Sequence, residues 1–212
     1  MNVELLNATP LSILVKAIRT CWDSFDKSDN LGKKDLDLID RVCNKYKHES
    51  TMEHIVFSFN IEGISRLCLQ ELARHRIASL SVKSTRYTLK ELRKECFDYD
   101  DEKDLQIAFK KASKYIVLTD NEYIDDTSLE CLRNLQYIME KTSIDTAKYM
   151  LPECYKTNLV WTINARSLKN FLNLRLSRSA HYEIRELAKK ILNLINDTEY
   201  KILFKDIKNE DN

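Results

Sequence analysis

The chain has 212 residues, 43% of them hydrophobic and 32% charged, with 34 basic and 33 acidic side chains for a formal net charge of +1. That balance excludes a globally basic nucleic-acid or membrane-surface binder, so any positive site has to be local. Two glycines and two prolines are too few for the many tight turns of an all-β sandwich, which favours long helices, and the length fits one domain of ordinary size or slightly more.

Thr9-Pro10 reads as an N-cap followed by proline at the first helical position, and Leu11, Leu14, Val15, Ile18 and Trp22 then mark one helical face. Asp23 to Lys34 is a polar loop, after which a second helix turns Ile39, Val42, Cys43 and Tyr46 inward. From Glu53 the period becomes two. Ile55, Phe57, Phe59 and Ile61 alternate with His54, Val56, Ser58 and Asn60, a strand with one strongly buried face. Glu62-Gly63 is expected to turn the chain, with a helix from near Ser65 to about His75. Ser79 to Thr88 reads as a loop passing into an extended segment. Residues 89 to 125 are poorly patterned, and helix and strand both fit Ile107 to Leu118.

A clearer helix runs from about Ser128 to Lys141 with Leu129, Leu132, Leu135 and Ile138 inside. A short one near Ile144 to Met150 is stopped by Pro152. Leu159 to Ile163 fits a strand, and a helix follows from about Ala165. The best amphipath is the last helix, with Ile184, Leu187, Ala188, Ile191, Leu192 and Ile195 on one side; the polar tail Lys208 to Asn212 is expected to fray. No internal repeat, low-complexity linker or domain boundary stands out, so 1–212 reads as a single domain.

Six cysteines occur, Cys21, Cys43, Cys68, Cys96, Cys131 and Cys154, and no two are spaced as CxxC, which argues against zinc. A domain of this size does not need disulfides, so a reducing cytoplasm is the expected compartment. The first residues do not form a basic segment followed by an apolar run, and no apolar stretch approaches a membrane span.

Three clusters carry candidate chemistry. Arg74-His75-Arg76, followed by Ser79, Ser81, Ser84 and Arg86-Tyr87, combines guanidinium forks with hydroxyls, a set suited to phosphate oxygens; the plainer reading is a helix end whose cations complement the dipole. In the second cluster, Arg166, Asn170 and Asn173 share a polar helical face and Leu168, Phe171 and Leu172 an apolar one. Arg175 extends the apolar stripe, where an arginine is expensive unless it is paired or functional. A structural salt bridge explains that position as readily as a ligand does. The third cluster, His48-Glu49-Ser50 with Glu53-His54, matches no standard metal-ligand spacing. There is no GxGxxG and no GxxxxGK[ST].

The run Arg74 to Tyr87, RHRIASLSVKSTRY, resembles the signature RHRxxSxNxxSxR of flavin-dependent thymidylate synthases, with Ser81 in place of the usual Asn. His48-Glu49-Ser50-Thr51-Met52-Glu53-His54 is similar to the family's H-E-[ST]-x-x-E-H stretch, Asn164 to Arg175 to its NARSLxNFLxLR helix, and Tyr182-Glu183-Ile184-Arg185 to the start of its final helix. The resemblance implies an α/β (α+β) fold, mostly helical around a small antiparallel sheet. It implies a homotetramer with active sites at subunit interfaces, acting on deoxyuridine monophosphate (dUMP) with FAD, NADPH and methylenetetrahydrofolate. By position it implies FAD contacts from Ser50, Glu53, Arg74, His75, Arg76, Asn164, Arg166 and Asn170. It places Glu71, Arg74, Lys83, Ser84, Thr85, Arg86 and Arg175 around the nucleotide, with Arg175 catalytic. Lys148 stands where the family's ARxxLP segment has Arg, Glu71 where it often has Gln, and Val82 where it often has Glu. Two other readings are a flavoprotein reductase that binds pyrimidine nucleotides without methylating them, and a nucleic-acid module using the RHR cluster. Only Tyr87 is near enough to that cluster to stack on a base, so no nucleic-acid partner is expected.

Overall fold

A computed structural model describes residues 1–97, 99 and 102–207; the tail expected to fray, 208–212, lies outside them. Four strands form one sheet in the order β1-β2-β4-β3, with β1 Asn2–Ala8, β2 Val56–Ser65, β3 Ala78–Val82 and β4 Lys156–Asn164. The sheet is small and antiparallel, and the rest of the fold is rich in helix. The helices are α1 Leu11–Cys21, α2 Lys33–Ile39, α3 Arg66–Ala73, α4 Thr85–Leu92, α5 Glu102–Ala112, α6 Glu122–Lys141, α7 Ile144–Ala147, α8 Ala165–Arg175 and α9 Tyr182–Asn196. Among the described residues no helix is long and apolar enough to cross a membrane.

The chain divides into two compact units. The first comprises Met1–Ile61, Glu71–Ser81 and Leu159–Asn212. Its core is aromatic. Phe57 and Phe59 on β2, Trp161 on β4 and Phe171 on α8 are fully buried, and Trp161 meets Phe59 at 6.2 Å and Phe171 edge-on at 5.1 Å between ring centroids. Such pairs add about 0.5–1.5 kcal/mol beyond the burial of their area. The unit also holds a buried ion pair. Arg19 on α1 donates from Nε and Nη2 to Asp35 on α2, and its remaining N–H groups reach the carbonyls of Ser24 and Lys27. Ser28 Oγ and the Leu31 amide complete the carboxylate's shell, so the polar loop between α1 and α2 is tied down by one buried carboxylate.

The second unit comprises Glu62–Gln70 and Val82–Asn158. Leu89 and Leu92 of α4, Ala108 and Ala112 of α5, Leu129, Leu132, Leu135 and Met139 of α6, and Tyr155 form its core. Here the ambiguous stretch resolves both ways: α5 carries it as helix to Ala112, and Ile116 then forms an antiparallel bridge with Tyr155.

Several sequence expectations are corrected. Strand β1 was not anticipated; it lies at the sheet edge with four of its seven residues exposed and none buried, so its pattern is weak. Thr9 does not cap α1. Its Oγ1 accepts from the Val56 amide at 3.1 Å, and Pro10 takes the cap position. Trp22 and Tyr46, expected inside, are exposed: Trp22 lies just past the end of α1, and Tyr46 just past a π-helical segment, Asp40–Lys45, that continues α2. His54 closes a turn of 3-10 helix, Glu49–His54, rather than opening a strand. Glu62-Gly63 does not turn the chain. Gly63 adopts φ 72°, a left-handed conformation that glycine takes without a Cβ penalty, and the strand continues to Ser65 with its buried side slipped from Phe57, Phe59 and Ile61 to Ile64. Residues 85 to 88 are helical, because Ser84 Oγ accepts from the Arg86 amide and starts α4. The helix expected from Ser128 begins at Glu122, where Asn121 Oδ1 accepts from the Ile124 amide at 3.2 Å.

Candidate active site

Two strands pass into helices with no connecting residue: β2 ends at Ser65 before α3, and β4 ends at Asn164 before α8. Asn164 Oδ1 accepts from the Ser167 amide at 2.8 Å and so caps α8. The cap fixes where α8 begins, and helical spacing then places Arg166 and Asn170 on one face and Arg175 at the far end.

Within the first unit these residues border a cleft of about 1050 Å³. The Glu49–His54 turn contributes Glu49 and Glu53. The segment after α3 contributes Arg74, His75, Arg76 and Ile77, with Glu71 on α3 itself. Helix α8 contributes Arg166, Ser167, Asn170, Leu174 and Arg175. Of the flavin residues expected from the sequence, Glu53, Arg74, His75, Arg76, Arg166 and Asn170 are therefore gathered in one place. Ser50 is exposed on the same turn, and Asn164 is committed to capping; neither lines the cleft.

The cleft's centre is Arg175. Its Nε donates to His75 Nε2 at 3.1 Å, its Nη1 to Glu71 Oε2 at 2.5 Å, and its Nη2 to the Glu71 carbonyl at 3.2 Å. Accepting at Nε2 requires the neutral imidazole with its proton on Nδ1. Burial first, and then the Arg175 guanidinium, push the His75 pKa below its ordinary value and favour that neutral form. The ring also stands edge-on to Phe171 at 5.0 Å, which joins the cleft to the aromatic core.

The charges are arranged unevenly. Each carboxylate of the cleft has a cation: Glu49 has Lys169, Glu53 has Arg166 at 2.6 Å, and Glu71 has Arg175. Among the described residues, Arg74 and Arg76 make no ion pair. Both are exposed, so the cleft presents two uncompensated guanidinium groups.

The remaining expected residues form a separate cluster in the second unit. Lys83, Ser84 and Thr85 enter α4, with the Lys83 amide donating to the Asn158 carbonyl at 2.8 Å. Arg86 grips Asp145 with two hydrogen bonds of 2.8 and 2.6 Å, and Lys148 reaches the same carboxylate at 2.8 Å. These bonds, from Arg86 and then Lys148, hold the Asp145 carboxyl well below the usual range. Asp145 thus gathers two cations that the sequence expectation assigned to the nucleotide. The helical spacing of Asp145 and Lys148 was a readable signal for half of this cluster. Glu49 and Lys169 were also passed over: Glu49 sits inside the recognised His48 to His54 stretch, and a lysine on a helix reads by default as solvated.

Comparison with known proteins is consistent along the chain. The family profile described as Thymidylate synthase complementing protein matches residues 4–198. A flavin-dependent thymidylate synthase of Campylobacter jejuni (strain RM1221) is 54% identical over 206 residues, covering 96% of each chain. One of Wolinella succinogenes is 57% identical over 192 residues, covering 90% of this chain and 91% of the other. The crystal structure of thymidylate synthase X from Helicobacter pylori with FAD and dUMP matches with a TM-score of 0.89 at 46% identity, covering 98% of this chain and 99% of that one.

Proposed function

The chain belongs to the family of flavin-dependent thymidylate synthases, and from that premise we propose that it converts dUMP to dTMP by reductive methylation, with methylenetetrahydrofolate as one-carbon donor and NADPH as reductant. One observation carries this reading. Three segments far apart in sequence, 49–53, 71–77 and 166–175, converge on a single cleft that holds Arg74, His75, Arg76, Arg166, Asn170 and Arg175.

The residues present fit FAD. Arg74 and Arg76, lacking carboxylate partners among the described residues, suit its diphosphate. Ile77 and Leu174, exposed at the rim, suit a flat apolar ring. When bound, FAD supplies the redox chemistry between NADPH and the one-carbon unit of the folate. The chain's own contribution is orientation and charge. A guanidinium has five N–H donors, and Arg175 spends three on His75 and Glu71. One N–H remains on each Nη, a pair matched to the edge of a uracil ring. There it would stabilise negative charge as N3 loses its proton, which activates carbon 5. Neutral His75 keeps the guanidinium in register by accepting at Nε2. Glu71, Arg74, Lys83, Ser84, Thr85, Arg86 and Lys148 complete the proposed nucleotide contacts. Ser50 and Asn164 remain proposed flavin neighbours, and the chain is proposed to work as one domain in a cytoplasmic homotetramer with sites at subunit interfaces.

The test is direct. Purified protein should be yellow, NADPH should bleach it anaerobically, and dUMP with methylenetetrahydrofolate should then yield dTMP. Bleaching without dTMP would instead support a nucleotide-binding reductase, and a protein that takes up no flavin would end the proposal.

A further inference from the structure

Lys169 lies on α8 between Arg166 and Asn170, yet its side chain is only 3% exposed. An ammonium removed from water is expensive unless it is paired. Its Nζ lies 3.3 Å from Glu49 Oε1 and 2.9 Å from Asp206 Oδ1, with both oxygens off its hydrogen-bonding direction. The compensation is therefore coulombic, and it comes from two carboxylates at distant points of the sequence. Glu49 also lines the cleft. A bare carboxylate in that wall would repel any anion drawn in by Arg74 and Arg76. The neighbouring pair, Glu53 with Arg166, is half exposed on both sides, so solvent already screens it. Glu49 is less exposed, at 29% of its side chain, and its partner is a buried cation behind the wall rather than a solvated one.

We propose that Lys169 is a positioning residue that acts through Glu49: it neutralises a carboxylate in the wall of the flavin cleft, and Asp206 competes for the same charge and so sets how much of it reaches the cleft. This rests on the FAD reading above. Lys169 itself does not line the cleft, so its effect on a ligand passes through Glu49. The pairing also connects the last described residues of the chain to the affinity of the cleft. Removing the ammonium exposes Glu49 to the ligand's diphosphate, whereas removing both charges restores a neutral wall.

The experiment is a titration of flavin-free protein with FAD, followed by flavin fluorescence, alongside thermal unfolding. Lys169→Met should raise the FAD dissociation constant about tenfold, and the defect should shrink as added salt screens the exposed carboxylate. Lys169→Arg should remain within about threefold of the parent. Lys169→Met combined with Glu49→Gln should return to within about threefold as well, a recovery that a purely structural lysine would not show. Asp206→Asn keeps a polar side chain of the same shape beside Lys169 but leaves the ammonium's charge wholly to Glu49, and should bind FAD at least as tightly as the parent, with thermal unfolding reporting any loss of stability separately. Parent-like binding by Lys169→Met, no recovery in the double variant, or weakened binding by Asp206→Asn each overturns the inference. Unaltered protein that binds no FAD overturns the reading of the cleft, and the inference with it.

Discussion

Arg175 and His75, one hundred residues apart in the chain, meet nitrogen to nitrogen at 3.1 Å, with the guanidinium as donor and the imidazole as acceptor. The contact exists only while His75 is neutral. It explains why a half-buried arginine sits at the end of an otherwise apolar stripe, and it makes the cleft sensitive both to the shape of one cation and to the protonation of one ring.

Arg175→Lys should preserve the fold and the flavin colour while sharply reducing dTMP formation. Lysine keeps a charge but cannot hold three fixed contacts and still offer two parallel N–H groups. Loss of a preorganised charge-stabilising donor is worth roughly 2.7–4 kcal/mol in a transition state. Reduction by NADPH should survive better than methylation, which single-turnover kinetics would separate. Near-normal dTMP formation at saturating dUMP would falsify the catalytic assignment.

The pH dependence of stability should carry a signature of His75. Its folded pKa is depressed, by burial and then by Arg175, below the ordinary 6.5. Above 6.5 the ring is neutral folded or unfolded and adds no slope. Below it the unfolded chain takes up the proton first, so stability falls with pH until the folded ring is protonated too. His75→Gln retains an acceptor for Arg175 but does not titrate. Unfolding free energies measured from about pH 8 down to about pH 5 should show a shallower acid decline in the variant, and an unchanged slope would rule His75 out.

No cysteine should be needed for turnover. None lines the cleft, Cys43 and Cys68 are buried, and burial pushes the Cys43 thiol up to about 11 and raises that of Cys154. Thiols in that state are not nucleophiles at neutral pH. Each single Cys→Ser variant should retain methylation by product assay. One folded, flavin-loaded variant with abolished turnover would reverse this view.

Asp35→Ala should destabilise the protein by about 3–5 kcal/mol, because it strands Arg19 without its buried partner. Burial raises the Asp35 pKa, but hydrogen bonds from Arg19, Ser28 and Leu31 outweigh it and hold the carboxyl at about 2. Its contribution is complete above the unfolded value of 3.8 and is lost as pH falls through the folded value. Denaturant midpoints for the variant and its parent should therefore converge in strong acid; a constant difference would show that the carboxylate's charge is not what matters.

Legibility in the sequence followed the range of the interactions. The alternation of Phe57, Phe59 and Ile61 and the stripe of α9 report local burial, and both elements form, the strand with both of its ends shifted from those expected. The Gly63 slip depends on a backbone angle, and β1 on an edge pairing through Thr9 and Val56, so neither leaves a periodic trace. Motif resemblance located Arg74, His75, Arg76, Arg166, Asn170 and Arg175 because those segments are contiguous in sequence. It could not find Lys169, whose buried position is defined by carboxylates from Glu49 and Asp206, or the grip of Asp145 on Arg86, which joins residues 59 positions apart.

The direct passage of β4 into α8 at Asn164 has a consequence for how this protein can change. Each residue advances a helix by about 100°. With no loop to absorb the difference, inserting or deleting a single residue near Ala165 would swing Arg166, Asn170 and Arg175 by more than a quarter turn and send Leu168 and Phe171 toward water. The junction works as an angular index, and its length should be far less negotiable than its composition.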